Sequence, residues 1–308
     1  MAERRVAMRV GAGLLAFSAV AVAVRVAPAG TRDQIAHASA QLAQASATVV
    51  GTKAALADEV EAGRHLGFDT HEYPGDATMR AWKASDSPYE WVGYYLVSPC
   101  HRNDSWASKR TTLAQMGWGV AVVYVGQQSW GRAPRKLSAS AIAKANKQGV
   151  TCSADYVSGD RGRGDANDAI ARARAEGFPK GTVVFLDIER MDKVPPAMRA
   201  YYRAWVDRLL EEGTYKPGVY AHTFNAESIH DDVKAVYAQR GRSEDPPFWV
   251  ANTRDFSPEK SPSQVGHVFA GMWQGIIDVS QTWAGIRLPI DVNISQWASP
   301  SLNGVSAE

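Results

Sequence analysis

The sequence predicts an α/β protein whose main part is a single-domain (β/α)8 barrel of the TIM type. Eight short apolar runs alternate with helical or long-loop segments over roughly 240 residues, which is the length and rhythm of such a barrel. Several runs are apolar on both alternating faces, as in parallel strands that are covered on both sides. An open doubly wound sheet is the alternative, but no glycine-rich phosphate loop follows the first run.

Each predicted strand is an apolar run bounded by Gly, Pro or polar residues. The runs are HLGFD (65–69), EWVGYYL (90–96), GVAVVYVG (119–126), GTVVFLDIE (181–189), PGVYAH (217–222), PFWVAN (247–252), VFAGMWQ (268–274) and IDVNIS (290–295). Helices are predicted between them, notably over 165–177 and over 196–213, where the pattern begins with Pro and ends with Gly. The long segments 98–115 and 126–164 are predicted sources of a lid, with the Gly-rich stretch 158–165 mobile.

The first 29 residues have the features of an export signal. Three arginines, Arg4, Arg5 and Arg9, precede the apolar stretch 10–24, and APA follows at 27–29. The Arg4-Arg5 pair also fits a twin-arginine signal, so either the Sec or the twin-arginine route is expected. An uncleaved membrane anchor is the alternative. In both cases we expect a secreted or cell-envelope protein, with a possible membrane tether through this segment.

Three further segments follow the signal. Residues 30–63 are rich in Ala, Gln and Ser and lack aromatic residues, so they are predicted to be a helical stalk or linker. A partner-binding helix is the alternative for this segment. The barrel is predicted over 64–298 and a short tail over 299–308.

Composition excludes one class of partner. The formal net charge is +2 and no Lys/Arg cluster is present, so nucleic-acid binding is not expected. The hydrophobic fraction of 45% and the 10 tryptophans can fill a sizeable core. The two cysteines, Cys100 and Cys152, fit either one disulfide in an oxidising compartment or two buried thiols, and their number and spacing do not indicate a metal site.

Carboxylates and amides follow the ends of several predicted strands. They are Asp69, Asp187, Glu189, His222, Asn225, Asn252, Gln274, Asp291 and Asn293, together with Trp273. In a closed parallel barrel these ends gather at one mouth, where such barrels place their chemistry. Tyr124, Trp249 and Trp273 lie near the same ends and could stack on sugar faces. The alternative roles are helix capping, ion pairing with Arg190 and Arg254, core packing of the aromatic residues and a wall position for His222.

Asp187 and Glu189 are the central pair. Residues two apart on a strand share a face, so both face the barrel axis if either does. Repulsion and a partly apolar wall should raise the pKa of one of them. Cleavage of a glycosidic bond needs such a pair, with a protonated carboxyl to serve the leaving oxygen and an ionised one to stabilise positive charge at the sugar carbon.

The strand motifs and the polar residues at their ends together resemble the DUF1906 family, the glycoside-hydrolase-like domain of exported actinobacterial proteins. The resemblance covers about residues 64–298 and is strongest in WVGYYL (91–96) and in the block from 164 to 189. The same motifs are similar, more distantly, to the family 25 lysozymes, which are (β/α)8 barrels that cleave peptidoglycan. That resemblance implies that Glu189 is the acid and Asp187 the stabiliser. It also implies that Asp69 and Asp291 are supporting carboxylates, with Asn293 completing the D-x-N motif.

Three functions follow as hypotheses. The first is lysozyme-like hydrolysis of a cell-envelope glycan such as peptidoglycan, with no cofactor and no metal. The second is a catalytically inactive barrel that binds glycan or organises the envelope, since a fold does not fix a function. The third is a divalent-metal phosphodiesterase that uses Asp69, Asp187, Glu189 and Asp291 as oxygen ligands.

Overall fold

The structure is a computed structural model that describes residues 63–136, 138, 140, 141 and 152–303. The predicted export signal lies outside the described residues, as do the predicted stalk except for its last residue and the end of the predicted tail. In the part of the chain that is described, no helix is both long enough and apolar enough to cross a membrane.

Eight strands close into a barrel, and each pairs with its neighbour in chain order. They are β1 (His65–Asp69), β2 (Trp91–Tyr95), β3 (Gly119–Val125), β4 (Val183–Ile188), β5 (Lys216–His222), β6 (Phe248–Ala251), β7 (Met272–Trp283) and β8 (Ile286–Ser295). Every predicted run overlaps one of these strands. The predicted α/β barrel is therefore confirmed.

The described helices cover the outside of the first part of the barrel. They are α1 (Asp76–Lys83), α2 (Arg110–Gln115), α3 (Gly159–Ala175), α4 (Pro196–Glu212) and α5 (Thr223–Gln239), with 3-10 helices at Ala154–Tyr156, Pro262–Val265 and Pro300–Leu302. Helix α4 begins with Pro196 and ends at Gly213, whose φ of 77° suits a residue without a Cβ. The stretch 158–165 is not a loop as expected, because the Ser158 hydroxyl caps α3 by accepting from the amide of Arg161.

The last strand differs from a fully parallel barrel. Strands β1 to β7 run parallel to their neighbours, but β8 is antiparallel to both β7 and β1. Strands β7 and β8 form a hairpin whose turn residues Ala284 and Gly285 both have positive φ, at 50° and 74°. The outer half of this hairpin is largely exposed. Its strands therefore lack the continuous apolar run by which the other strands were predicted.

Large aromatic side chains fill the interior of the barrel below the mouth. Trp249 makes edge-to-face contacts with Trp91 and Phe185, at centroid distances of 5.8 and 6.0 Å. Space for Trp91 depends on Gly67, because a Cβ there would lie 2.1 Å from the Trp91 ring. This packing closes the barrel axis, so that only the upper end is open to a ligand.

Candidate active site

The open end of the barrel holds a cavity of about 490 Å³ at the C-terminal ends of the parallel strands. Such a volume falls in the range of small-molecule sites, about 300–1,000 Å³. All four predicted carboxylates line it, namely Asp69 from β1, Asp187 and Glu189 from the end of β4, and Asp291 from β8. Other lining side chains are His71, Tyr95, Gln128, Trp130, Tyr220, Trp249, Gln274 and Asp278.

Asp187 and Glu189 occupy successive inward positions at two depths. Asp187 is buried, whereas Glu189 is exposed at the entrance. The Gln128 side chain holds this strand end, since its Nε2 donates to the Asp187 carbonyl oxygen at 2.8 Å and its Oε1 accepts from the Glu189 amide at 3.0 Å. The side-chain amide of Gln128 thus continues the backbone pairing of β4 beyond the end of β3 and fixes the backbone of both acids.

The pKa values of both acids are raised. For Asp187, burial is the main cause, followed by the charges of Glu189 and Asp69. Within the described residues, Asp187 Oδ1 has no hydrogen-bond partner, so nothing there offsets the loss of water. For Glu189, desolvation by the surrounding wall raises the pKa, although the amide of Arg190 and the charge of His71 oppose the change.

Asp69 is held by three donors. Tyr95 Oη donates to its Oδ1 at 2.8 Å, while Gln274 Nε2 and Asn293 Nδ2 donate to its Oδ2 at 3.0 and 2.8 Å. Burial nevertheless raises the pKa of Asp69 and outweighs these donors. Its carboxyl is fully occupied by protein partners, which suits an organising role rather than contact with substrate.

Asp291 reaches the mouth because β8 runs antiparallel. The register pairs Asp69 with Asp291, so a residue in the middle of β8 lies level with the end of β1. Asp291 Oδ1 accepts from the amide of Asp278 at 2.7 Å, and its Oδ2 accepts from Gln274 Nε2 at 3.2 Å. Burial and the nearby charge of Asp69 raise the pKa of Asp291 to about 7.

The predicted residues Trp249 and Gln274 line the cavity, and Asn293 is fully buried behind them. Trp249 is only 1% exposed and donates from Nε1 to Asn293 Oδ1 at 3.1 Å. Gln274 Oε1 accepts from Tyr220 Oη at 2.7 Å. Trp249 is therefore a floor beneath the site, with no open ring face on which a sugar could stack.

The structure does not bring Tyr124 or Trp273 to the cavity. Both lie on the outer face of the barrel, where Tyr124 Oη donates to Asp168 Oδ2 at 3.0 Å and Trp273 Nε1 donates to the Asn252 carbonyl at 2.6 Å. Successive residues of a strand point to opposite faces of the sheet. In these two strands the residues next to Tyr124 and Trp273 point into the barrel, so Tyr124 and Trp273 themselves point outward. The substrate-stacking role expected for these two rings has no support from their positions.

His222 also lies outside the cavity. Its Nδ1 accepts from the Phe224 amide at 3.1 Å and so caps the first turn of α5. Burial lowers the pKa of His222, and the nearby charges of Arg190 and Arg254 lower it further. It belongs to the rim of the mouth rather than to the carboxylate cluster.

Several lining residues were missed by reasoning from the sequence. His71 lies two residues beyond β1 and stacks on Tyr95 and on His101, with ring centroids 5.8 Å from each, and these two rings also contact each other at 5.0 Å. Trp130 is 57% exposed at the entrance and is the lining residue with an open ring. Tyr95 alone carried a signal, because it follows the inward Trp91 and Gly93 at a spacing of two.

Cys100 and Cys152 form a disulfide, with Cα atoms 4.6 Å apart, and both line the cavity. The Cys100 amide also donates to the Val125 carbonyl at 3.2 Å, which ties this wall to the end of β3. Of the two states open from the sequence, the structure has the bridged one. Among the described residues, no group of three or more His, Cys, Asp or Glu side chains is arranged to hold a metal ion.

A closed α/β barrel whose mouth gathers four carboxylates defines a glycoside-hydrolase-like protein. The family model described as Rv2525c-like, glycoside hydrolase-like domain matches residues 80–295, and the chain belongs to this family. The family assignment made from the sequence motifs is thus confirmed. No curated protein matches the chain significantly.

Solved structures with a similar fold have low sequence identity. An uncharacterized B. stearothermophilus protein is 18% identical, covering 75% of this chain and 95% of its own, with a TM-score of 0.47. The Clostridium perfringens spore cortex lytic enzyme SleM is 14% identical, covering 75% and 67%, with a TM-score of 0.45. The Mycobacterium tuberculosis Tat-secreted protein Rv2525c is 16% identical, covering 75% and 94%, with a TM-score of 0.42. Similarity at this level carries no argument about function.

Proposed function

We propose that this protein is an exported hydrolase of cell-envelope glycan that cleaves a peptidoglycan-type polysaccharide with the carboxyl pair Glu189 and Asp187. One observation carries the proposal. Two like-charged carboxyls occupy successive inward positions of one strand, line the same open cavity, and both have raised pKa values. Acid-catalysed cleavage of a glycosidic bond uses one protonated and one ionised carboxyl, and two carboxyls that repel each other in one site favour that division.

Glu189 is assigned as the proton donor. Its side chain is exposed at the cavity entrance, where the oxygen between two sugar rings can approach it. The raised pKa keeps a proton on the carboxyl closer to neutral pH than an ordinary glutamate would. The clamp from Gln128 to the Glu189 amide fixes the direction in which this proton is offered.

Asp187 is assigned as the group that stabilises the sugar carbon. Asp187 lines the open cavity, and its buried Oδ1 has no partner among the described residues, so its carboxyl is not committed to the protein. A positive charge that develops at the sugar ring favours the ionised carboxylate, which lowers the pKa of Asp187 as the reaction proceeds. Asp187 releases its proton to water in the open cavity, and its carboxylate then serves as the counter-ion to the sugar carbon.

Asp69, Asp291 and Asn293 are assigned supporting roles. Asp69 and Asn293 lock together the ends of β1, β7 and β8, and Asp291 adds a further negative group at the opposite wall. Their combined field favours positive charge in the cavity and therefore an oxocarbenium-like state. Trp130 is the exposed ring at which a sugar face can stack.

The disulfide supports the exported location. Disulfides persist in oxidising compartments, and the Cys100–Cys152 bridge lies in the wall of the site itself. A polymer of the cell envelope is the glycan that such a protein would meet. The predicted signal over 1–29 agrees with this location.

Hydrolysis is tested by release of reducing ends from purified cell-wall sacculi. We expect wild-type protein to release them, and Glu189→Gln to lose about 100-fold or more of this activity, since acid catalysis contributes about 10²–10⁴-fold. Glu227→Gln, an exposed substitution on α5, is the matched control and should keep full activity. Thermal melts of each variant check that the fold is retained.

Two results would contradict the proposal. Unchanged turnover by Glu189→Gln would remove Glu189 as the acid. Wild-type protein that sediments with sacculi yet releases no reducing ends would instead favour the inactive glycan-binding barrel.

A further inference from the structure

Three basic side chains gather on the rim of the mouth beside Glu189. Arg190 follows β4, His222 ends β5, and Arg254 follows β6 by three residues. The strand register pairs Ile188 with Ala221 and His222 with Ala251, so these strand ends lie side by side at one level. We refer to Arg190, His222, Arg254 and the adjoining Phe224 as the basic rim.

Contacts and charge effects show that the members of the basic rim are close to one another. The Arg190 guanidinium carbon lies 5.5 Å from the centre of the Phe224 ring. After burial, the charges of Arg190 and Arg254 are the causes that lower the pKa of His222, which requires both guanidinium groups to be near the imidazole. Two guanidinium groups and a histidine whose neutral form they favour therefore share one edge of the mouth.

The basic rim lacks an acidic partner in the described part of the chain. Neither Arg190 nor Arg254 forms an ion pair with another described residue. On the outer helices the pattern is different, because Arg163, Arg174 and Arg240 each pair with a carboxylate within 3.1 Å. Without an acid at ion-pair distance among the described residues, Arg190 and Arg254 keep their donors available for a ligand at the rim.

The chemistry of the rim fits a planar oxyanion. Guanidinium groups bind carboxylates through two parallel hydrogen bonds, and Arg190 and Arg254 are both exposed. His222 Nδ1 accepts from the Phe224 amide, so the neutral ring carries its proton on Nε2 and offers a further donor. Phe224 is 60% exposed and presents an apolar face beside these donors.

We propose that the basic rim is a subsite for a carboxylate attached to the glycan, of the kind carried by a short peptide on a sugar. The inference rests on the proposed function for the polymer and adds the group that is recognised. Arg190 directly follows Glu189, so the basic rim adjoins the edge of the cavity at which a sugar would bind. The acidic cavity would then bind the ring, and the basic rim its acidic substituent.

The test is binding, which does not depend on turnover. Cosedimentation with sacculi whose peptide carboxyls are free is compared with sacculi whose carboxyls have been amidated. We expect the double variant Arg190→Gln/Arg254→Gln to bind the free-carboxyl sacculi about tenfold more weakly than wild type. Amidation should weaken wild-type binding by a similar factor and leave the double variant unchanged. Arg203→Gln on α4 removes a positive charge away from the rim and should behave as wild type.

Three results would overturn the inference. The first is equal affinity of wild type and the double variant for free-carboxyl sacculi. The second is an affinity difference between wild type and the double variant that is equally large on amidated sacculi, because the arginines would then bind something other than the carboxylate. The third is an affinity difference between wild type and the double variant that disappears when phosphodiester polymers are removed from the sacculi, which would show that the rim binds phosphate. Wild-type protein that binds neither preparation would instead overturn the proposed function on which the inference rests.

Discussion

At Asp291, burial under the hairpin and the charge of Asp69 raise the pKa of the carboxyl to about 7. The direction has a consequence for stability. Between about pH 4 and pH 7 the folded protein holds a proton on Asp291, whereas the unfolded chain, with an ordinary aspartate, has released it. The unfolded state therefore binds fewer protons, and this group lowers the free energy of unfolding as pH rises through that range.

The first prediction follows from this sign. Asp291→Asn removes the charge, so the variant should gain melting temperature relative to wild type at pH 8 and gain nothing at pH 4. The difference in melting temperature between Asp291→Asn and wild type should be about 3 °C or more larger at pH 8 than at pH 4. This corresponds to roughly 1 kcal/mol or more by which the buried charge of Asp291 destabilises the wild-type fold at pH 8. The lost hydrogen bond to Gln274 affects both pH values and cancels in this comparison.

Thermal melts at the two pH values measure the effect. Asp86→Asn, at an exposed position after α1, is the matched control and should show the same difference from wild type at both. A gain for Asp291→Asn that is equal at pH 4 and pH 8 would contradict the prediction, because it would not come from the charge.

Single residues also mark the limit of reasoning from the sequence. The D-x-E spacing predicted correctly that Asp187 and Glu189 share a face, because that inference needs only the period of two. The same reasoning did not place Tyr124 and Trp273. Both belong to runs that are apolar on both faces. Hydrophobicity therefore could not show which of the two alternating sets of residues faces the barrel interior.

Helix packing behind the site provides a second prediction, with its control on the same helix. A Cβ at Gly162 of α3 would lie 2.1 Å from the carbonyl oxygen of Tyr201 on α4, whereas a Cβ at Gly164 would meet nothing within 4 Å. Gly164→Ala should therefore raise the free energy of unfolding by about 0.5–1 kcal/mol. Gly162→Ala should lower it by about 1–3 kcal/mol through overpacking.

Urea unfolding of the two variants measures both effects. The close approach at Gly162 matters for the site because Tyr201 Oη accepts from the Gln127 amide at 2.9 Å, next to the clamp residue Gln128. Two variants that shift stability in the same direction would show that α3 and α4 do not meet as described.

The elements differ in how far the sequence predicts them. The interior strands are short apolar runs with clear boundaries, and all eight were found. The outer half of the β7–β8 hairpin was missed, because its strands alternate partly exposed and exposed residues and so contain no continuous apolar run. The antiparallel direction of β8 could not be predicted either, since an apolar run has no orientation of its own.

For the whole molecule, the disulfide links positions 52 residues apart and closes one wall of the cavity. A cross-link over a loop of this length restricts the unfolded chain and is worth about 2–4 kcal/mol. We predict that Cys100→Ser/Cys152→Ser lowers the free energy of unfolding by that amount and weakens binding to sacculi. Denaturant unfolding with and without a reducing agent measures the stability.

The reducing agent supplies the control for this prediction. It should destabilise wild-type protein to the level of the double serine variant and leave that variant unchanged, since the chain has only these two cysteines. A double variant as stable as wild type would mean that the bridge adds nothing to the fold.

The antiparallel β8 also decides where the polypeptide enters and leaves the barrel. Its register pairs His65 at the start of β1 with Ser295 at the end of β8, so both positions lie at the end of the barrel away from the mouth. In a fully parallel barrel the last strand would instead finish at the mouth, beside the four carboxylates. Because His65 and Ser295 are on the far side, neither lies at the end of the barrel where a ligand would enter. A label or fusion partner joined at these positions would likewise leave the approach route clear.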